Sequence, residues 1–159
     1  MSRYNIYTDG SLMAQGDKSM GGWSFVVVDN RNDSIVYECY GKLETTVESC
    51  IRPELEAVYQ ALCWSRENIQ KSSIHIITDN EVIVGSINGE CRRNTNRQYW
   101  DLIEPIVLND FFGRMKISHV RAHISEERRD RHNRYNALCD RLAKKGANSL
   151  LIKAIEERQ

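Results

Sequence analysis

Short apolar blocks separated by turn-forming residues divide this chain into strands and helices. The runs ending at Thr8, Val28 and Gly41 predict strands over residues 3–9, 21–29 and 34–43. Asp29-Asn30-Arg31-Asn32-Asp33 supplies the turn between the second and third, since short polar side chains satisfy their own backbone there. The expected result is an antiparallel meander. From Pro53 to about Asn68 the apolar positions Leu55, Val58, Leu62 and Cys63 change to helical spacing, with proline in the tolerated first turn.

The second half alternates strand and helix. Residues 73–78 predict a fourth strand, and a short helix is expected from about Asn80 to Ile87, broken by Asn88-Gly89. A helix over 97–110 contains Pro105, which should kink or divide it. Met115 to Arg121 predicts a fifth strand and the charged run Ser125–Arg134 a loop. Tyr135, Leu138, Cys139 and Leu142 form one helix face, and Leu150, Leu151, Ala154 and Ile155 predict a final helix. A meander followed by alternating strands and helices predicts an α/β fold, a mixed sheet flanked by helices, in a single domain over 1–159.

Composition narrows the class. With 159 residues, 41% of them apolar, the chain can bury a core of its own. No apolar stretch is long enough to span a membrane and the amino terminus enters a strand at once, so a cytoplasmic monomer is expected. Cys39, Cys50, Cys63, Cys91 and Cys139 are odd in number and lack a C-x-x-C pair, which favours reduced packing thiols. The formal charge is zero but unevenly spread: residues 1–80 hold 7 basic and 11 acidic side chains, and the remainder holds 15 and 11. One face could attract phosphates while another holds cations.

Four carboxylates stand out against this plan. Asp9 and Asp79 each follow a strand block, Glu54 opens a helix, and Asp140 lies within a late one, four residues after Asn136. Ligands gather beyond the carboxyl ends of strands in such sheets. Like charges brought together raise one another's pKa, so convergence requires a cation. Oxygen ligands without a His/Cys set select Mg²⁺, with Mn²⁺ as substitute, over zinc. Two ions about 3.5–4 Å apart would suit in-line phosphoryl displacement. Taken singly, each has an ordinary reading: turn residues for Asp9 and Asp79, helix-dipole complement for Glu54, and an ion pair with Lys144 for Asp140.

These segments resemble the ribonuclease H family of type 1. Thr8-Asp9-Gly10-Ser11 is similar to its first-strand signature, and Arg52-Pro53-Glu54-Leu55-Glu56-Ala57 to the start of its Glu-bearing helix. Thr78-Asp79-Asn80 is similar to its fourth-strand motif and Asn136 to Ala143 to its last catalytic helix; the order holds over about residues 4–147. The resemblance implies a five-stranded mixed sheet of order 3-2-1-4-5. It also implies hydrolysis of the RNA strand of RNA/DNA hybrids with two metals, giving 3′-hydroxyl and 5′-phosphate ends. Asp9 would bridge both ions, Glu54 and Asp79 would support the one that activates water, and Asp140 would help hold it.

Val120-Arg121-Ala122-His123 is similar to the segment whose histidine assists proton transfer or product release, and His132 is a rival for that place. Cys50 replaces an asparagine that reads a sugar hydroxyl, and Glu81 stands where glutamine is frequent. Gly89–Gln98 is too short for an extended basic handle. Hybrid contacts are expected from Gly10, Ser11 and Asn80, and from Arg92, Arg93 and Arg97, with phosphate contact and plain solvation equally open for the arginines. His75 and His119 read as packed or hydrogen-bonded. Alternatives are a junction resolvase, a reverse-transcriptase-derived nuclease domain, or a non-catalytic hybrid-binding protein.

Overall fold

The computed structural model describes residues 1–15, 18–45, 51–89, 95–121, 130–148 and 153–154. Strand β1 (Tyr4–Gln15) pairs antiparallel with β2 (Lys18–Asp29), which pairs antiparallel with β3 (Ser34–Thr45). Helix α1 (Arg52–Asn68) leads to β4 (Ile74–Thr78), which lies parallel to β1. Helices α2 (Glu81–Ile87) and α3 (Arg97–Pro105) precede β5 (Met115–His119), parallel to β4. Helix α4 (Arg131–Asn148) follows, and β6 (Lys153–Ala154) pairs with β3.

The sheet order is β5-β4-β1-β2-β3-β6. Its first five members form the mixed sheet 3-2-1-4-5, flanked by helices. The two-residue β6 is an addition at the β3 edge, at Lys153–Ala154, where the apolar spacing predicts helix. Edge pairing with β3 overrides that local periodicity.

Alternation along the strands sends side chains to two cores. Ile6, Phe25, Ile74, Ile76 and Ile117 meet Leu55, Val58 and Leu62 of α1, with Tyr99, Trp100 and Ile103 of α3. On the opposite face Tyr7, Val26, Val28, Tyr40 and Ile77 meet Cys139 and Leu142 of α4. Fully burying one such aliphatic side chain contributes about 1.5–3 kcal/mol.

Several boundaries move for identifiable reasons. Asp9 is not at a strand end, because Gly10 to Gln15 continue β1 by pairing with Trp23 back to Lys18. What ends beside Asp9 is the parallel ladder to β4, whose last pair is Thr8 with Thr78. The helix with Pro105 divides as expected: α3 stops there and Ile106–Asp110 continues as a π-helical turn. Residues 131–134, read as loop, are the first turn of α4. Asp130 Oδ1 accepts from the Asn133 amide at 2.8 Å and Asn133 Oδ1 accepts from the Asp130 amide at 3.2 Å, a reciprocal cap. No described helix is long and apolar enough to cross a membrane.

Candidate active site

Glycine positions the first two carboxylates. A Cβ on Gly10 would stand 2.6 Å from the Pro53 carbonyl carbon and 2.9 Å from Glu54 Cα, so only a residue without a side chain lets the first turn of α1 rest on β1. Glu54 is thereby held beside Asp9. Asp79 follows β4 directly, next to the strand that carries Asp9. Asn80 then caps α2, its Oδ1 accepting from the Ile83 amide at 3.1 Å, which turns the chain away after Asp79.

Helix α4 brings in Asp140. Its small residues lie against the sheet's glycines: a Cβ on Gly22 would overlap the Ala143 carbonyl oxygen, and one on Gly146 would overlap the Gly41 carbonyl oxygen. Ser24 Oγ donates to the Cys139 carbonyl at 2.5 Å, and Cys139 Sγ lies 3.3 Å from the Tyr7 carbonyl oxygen. Close packing and these bonds fix the helix at the residue just before Asp140.

Asp9, Glu54 and Asp79 each present a ligand oxygen within 4.8 Å of the others. Asp9 is buried, and both Asp9 Oδ2 and Glu54 Oε2 are buried without a hydrogen-bond partner among the described residues. Asp9 Oδ1 accepts from the Gly10 amide at 2.9 Å. Asp140 stands outside this triad but close enough to Asp9 to repel it, and its Oδ2 pairs with Lys144 Nζ at 2.9 Å. The ordinary helix-face ion pair therefore forms alongside the site.

The electrostatics follow from crowding. Burial, then repulsion by Asp79 and Asp140, pushes Asp9 up to about 8 against the opposing Gly10 amide. Burial and the charges of Asp9 and Asp79 hold Glu54 well above the carboxylate range. Two buried carboxylate oxygens without donors, facing a third acid, are incomplete without positive charge. A divalent cation taking oxygen ligands fits this donor set. Asp9, Glu54 and Asp79 would hold it directly, with Asp140 at the border.

The other expected positions fall variously. Ser11 lies in β1 opposite Gly22, and Arg97 is exposed at the start of α3. His123, Arg92, Arg93 and Cys50 lie outside the described residues. His132 is not in a loop: it lies in the first turn of α4, two turns before Asp140, with Nδ1 2.8 Å from Tyr7 Oη. His75 Nε2 is 2.6 Å from Ser118 Oγ, the hydrogen-bonded histidine expected. His119 Nδ1 lies 3.9 Å from Glu81 Oε1.

Asn136, one turn before Asp140, is buried with Oδ1 unpartnered. Its i, i+4 relation to Asp140 was the available signal, and it belongs with the site's surroundings.

The model of the RNase H family matches residues 1–148. This chain belongs to the RNase H family. That membership agrees with the acidic cluster, and it places the chain among nucleases. No curated protein sequence matches it. Among solved structures, the protease-reverse transcriptase of prototype foamy virus is similar at 19% identity and TM-score 0.75, over 94% of this chain and 21% of that one. This RNase H chain thus spans about a fifth of that protein's length. LC11-RNase H1 in complex with RNA/DNA hybrid is similar at 22% identity and TM-score 0.68, covering 91% of this chain and 96% of that one. RNase H1 from the halophilic archaeon Halobacterium salinarum NRC-1 is similar at 19% identity, TM-score 0.68 and the same two coverages. At these identities the structural likeness shows the fold.

Proposed function

We propose that the chain is a metal-dependent endoribonuclease that hydrolyses the RNA strand of RNA/DNA hybrids, leaving 3′-hydroxyl and 5′-phosphate ends. The observation behind this reading is the Asp9–Glu54–Asp79 triad with its two buried, donorless oxygens. Bound divalent ions, Mg²⁺ in this proposal, supply Lewis-acid stabilisation of attacking and leaving oxygens. Asp9 holds the centre of the site, Glu54 and Asp79 orient the attacking water, and Asp140 completes the acidic edge. Lys144, tied to Asp140, keeps that carboxylate fixed in direction.

His123 is proposed to move a proton to or from the cleaved ester, since His132 is occupied by Tyr7 in α4. Arg92, Arg93 and Arg97 are proposed to contact hybrid phosphates, with Gly10, Ser11 and Asn80 near the cleaved strand. The hybrid in the LC11-RNase H1 complex supports the choice of substrate.

A second reading comes from the likeness to the foamy virus protein: the same nuclease site working as one domain of a reverse transcriptase. Labelled hybrid, single-stranded RNA, duplex DNA and four-way junctions, each with and without Mg²⁺, test the substrate. Mg²⁺-dependent cutting of hybrid RNA alone is expected. Cutting of junctions or DNA instead, or Asp9→Asn cutting as fast as the parent, would remove the proposal.

A further inference from the structure

At the amino-terminal end of the parallel strands, away from the carboxylates, lies a pocket of about 220 Å³. Its lining includes Asn5, Asn30, His75, Lys116, Arg131 and His132. Asn5, His75 and Lys116 form one cross-strand row on β1, β4 and β5, on the face that α4 covers mainly over β1, β2 and β3. The first turn of α4 adds Arg131 and His132. Among the described residues, no carboxylate lines the pocket.

The hydrogen bonds orient the groups that face it. A guanidinium can only donate, so Arg131, bonded to Asn30 Oδ1, sets the orientation of that amide. Asn30 Nδ2 then donates to Asn5 Oδ1 at 2.7 Å, and Asn5 Nδ2 donates to Tyr7 Oη at 3.3 Å. Tyr7 Oη lies 2.8 Å from His132 Nδ1 and can offer its own proton there. With that proton given to Nδ1, the remaining nitrogen of His132, Nε2, carries the N–H and can donate. Arg131 is balanced by Asp33, 2.6 Å from its Nε, whereas Lys116 has no ion-pair partner among the described residues. Burial, then His132 and Lys116, lower the pKa of His75, as expected where positive groups gather without a counterion.

We propose that this pocket binds a tetrahedral oxyanion of the phosphate or sulfate type, held by Lys116, His132 Nε2–H and His75. The volume lies below the roughly 300 Å³ at which drug-sized sites begin, so it fits a small anion or a terminal phosphate better than a nucleotide. His75 is one titrating member. Of the groups around it, Lys116 and Arg131 are cationic, Met1 brings its amino group, Asp33 is engaged by Arg131, Tyr7 is neutral with its pKa pushed up to about 12, and His132 Nδ1 is hydrogen-bonded to Tyr7 Oη. Protonated His75 adds charge to the pocket, so anion affinity rises as pH falls.

The test follows the imidazole NMR signals of His75 and His132 in the metal-free full chain during titration with sodium sulfate at pH 6 and pH 8. Saturable shifts, tighter at pH 6, are expected, and Lys116→Gln should weaken binding about tenfold while the unfolding temperature stays the same. Linear, non-saturating shifts, equal affinity at both pH values, or an unchanged Lys116→Gln would overturn the proposal. Duplex DNA with and without a 5′-phosphate identifies the source: displacement of sulfate by the phosphorylated duplex alone assigns a nucleic-acid terminus, and displacement by neither assigns a free anion.

Discussion

Gly22 of β2 faces Ala143 of α4 with no room for even a methyl group between them. The same helix bears Asp140 one turn earlier, so the depth at which α4 sits on β2 sets how far that carboxylate reaches toward Asp9. We predict that Gly22→Ala lifts the helix, destabilises the fold by about 1–3 kcal/mol and slows cleavage more than the stability loss accounts for. Denaturant unfolding and hybrid cleavage at a temperature where both proteins are fully folded check this. Unchanged cleavage would show that Asp140 tolerates displacement.

The raised pKa of Asp9 gives a signed pH effect on the metal-free protein. Its folded pKa of about 8 lies above the ordinary carboxylate value, so between about pH 4 and 8 the native state binds more protons than the unfolded one. Stability from this group is full below that window and is lost as pH rises through it, and Glu54 acts in the same direction. Thermal unfolding without metal should fall from pH 5 to pH 8, and Mg²⁺ should restore it at pH 8. Asp9→Asn should flatten the metal-free slope, raise the unfolding temperature at pH 8 and lower cleavage by roughly 10²-fold or more. A parent protein equally stable at both pH values would contradict the crowded site.

Much of this arrangement could be read from local spacing, because the meander, α1, the break after Ile87 and the interruption at Pro105 each depend on residues close in sequence. The three clustered carboxylates were legible as well, although Asp9, read as ending its strand, lies within β1 where the ladder to β4 stops. What escaped depends on partners far along the chain. Gly10 and Ser11 look like turn residues, yet pairing with Trp23 and Gly22 keeps them in β1. Lys153 and Ala154 join β3 against their helical spacing. The start of α4 did have a local signature, Asp130 and Asn133 three residues apart, hidden within a charged run.

Cys139 gives a chemical check on how α4 is seated. Its thiol is fully buried with Ser24 Oγ 2.9 Å away, and burial followed by the Asp9 charge pushes its pKa well above the ordinary thiol value. A thiol rather than a thiolate is a poor nucleophile. Alkylation of the native protein with iodoacetamide, mapped by peptide mass, should modify the partly exposed Cys63 before Cys139, which should react only on unfolding. Early modification of Cys139 would mean that α4 opens readily from the sheet.

The two histidine candidates separate through Tyr7. His132 Nδ1 is hydrogen-bonded to its hydroxyl, and their rings lie 5.9 Å apart between centroids, so the imidazole belongs to the packing beneath the first turn of α4. Truncating it leaves the Tyr7 hydroxyl without this hydrogen-bond partner, at a cost of about 1–3 kcal/mol. We therefore predict that His132→Ala lowers the unfolding temperature with cleavage per folded molecule near that of the parent. His123→Ala should do the reverse, slowing turnover with stability and Mg²⁺ affinity nearly intact. Steady-state cleavage beside thermal unfolding of both variants distinguishes them. A slow but stable His132→Ala would transfer the proton-handling role to that residue.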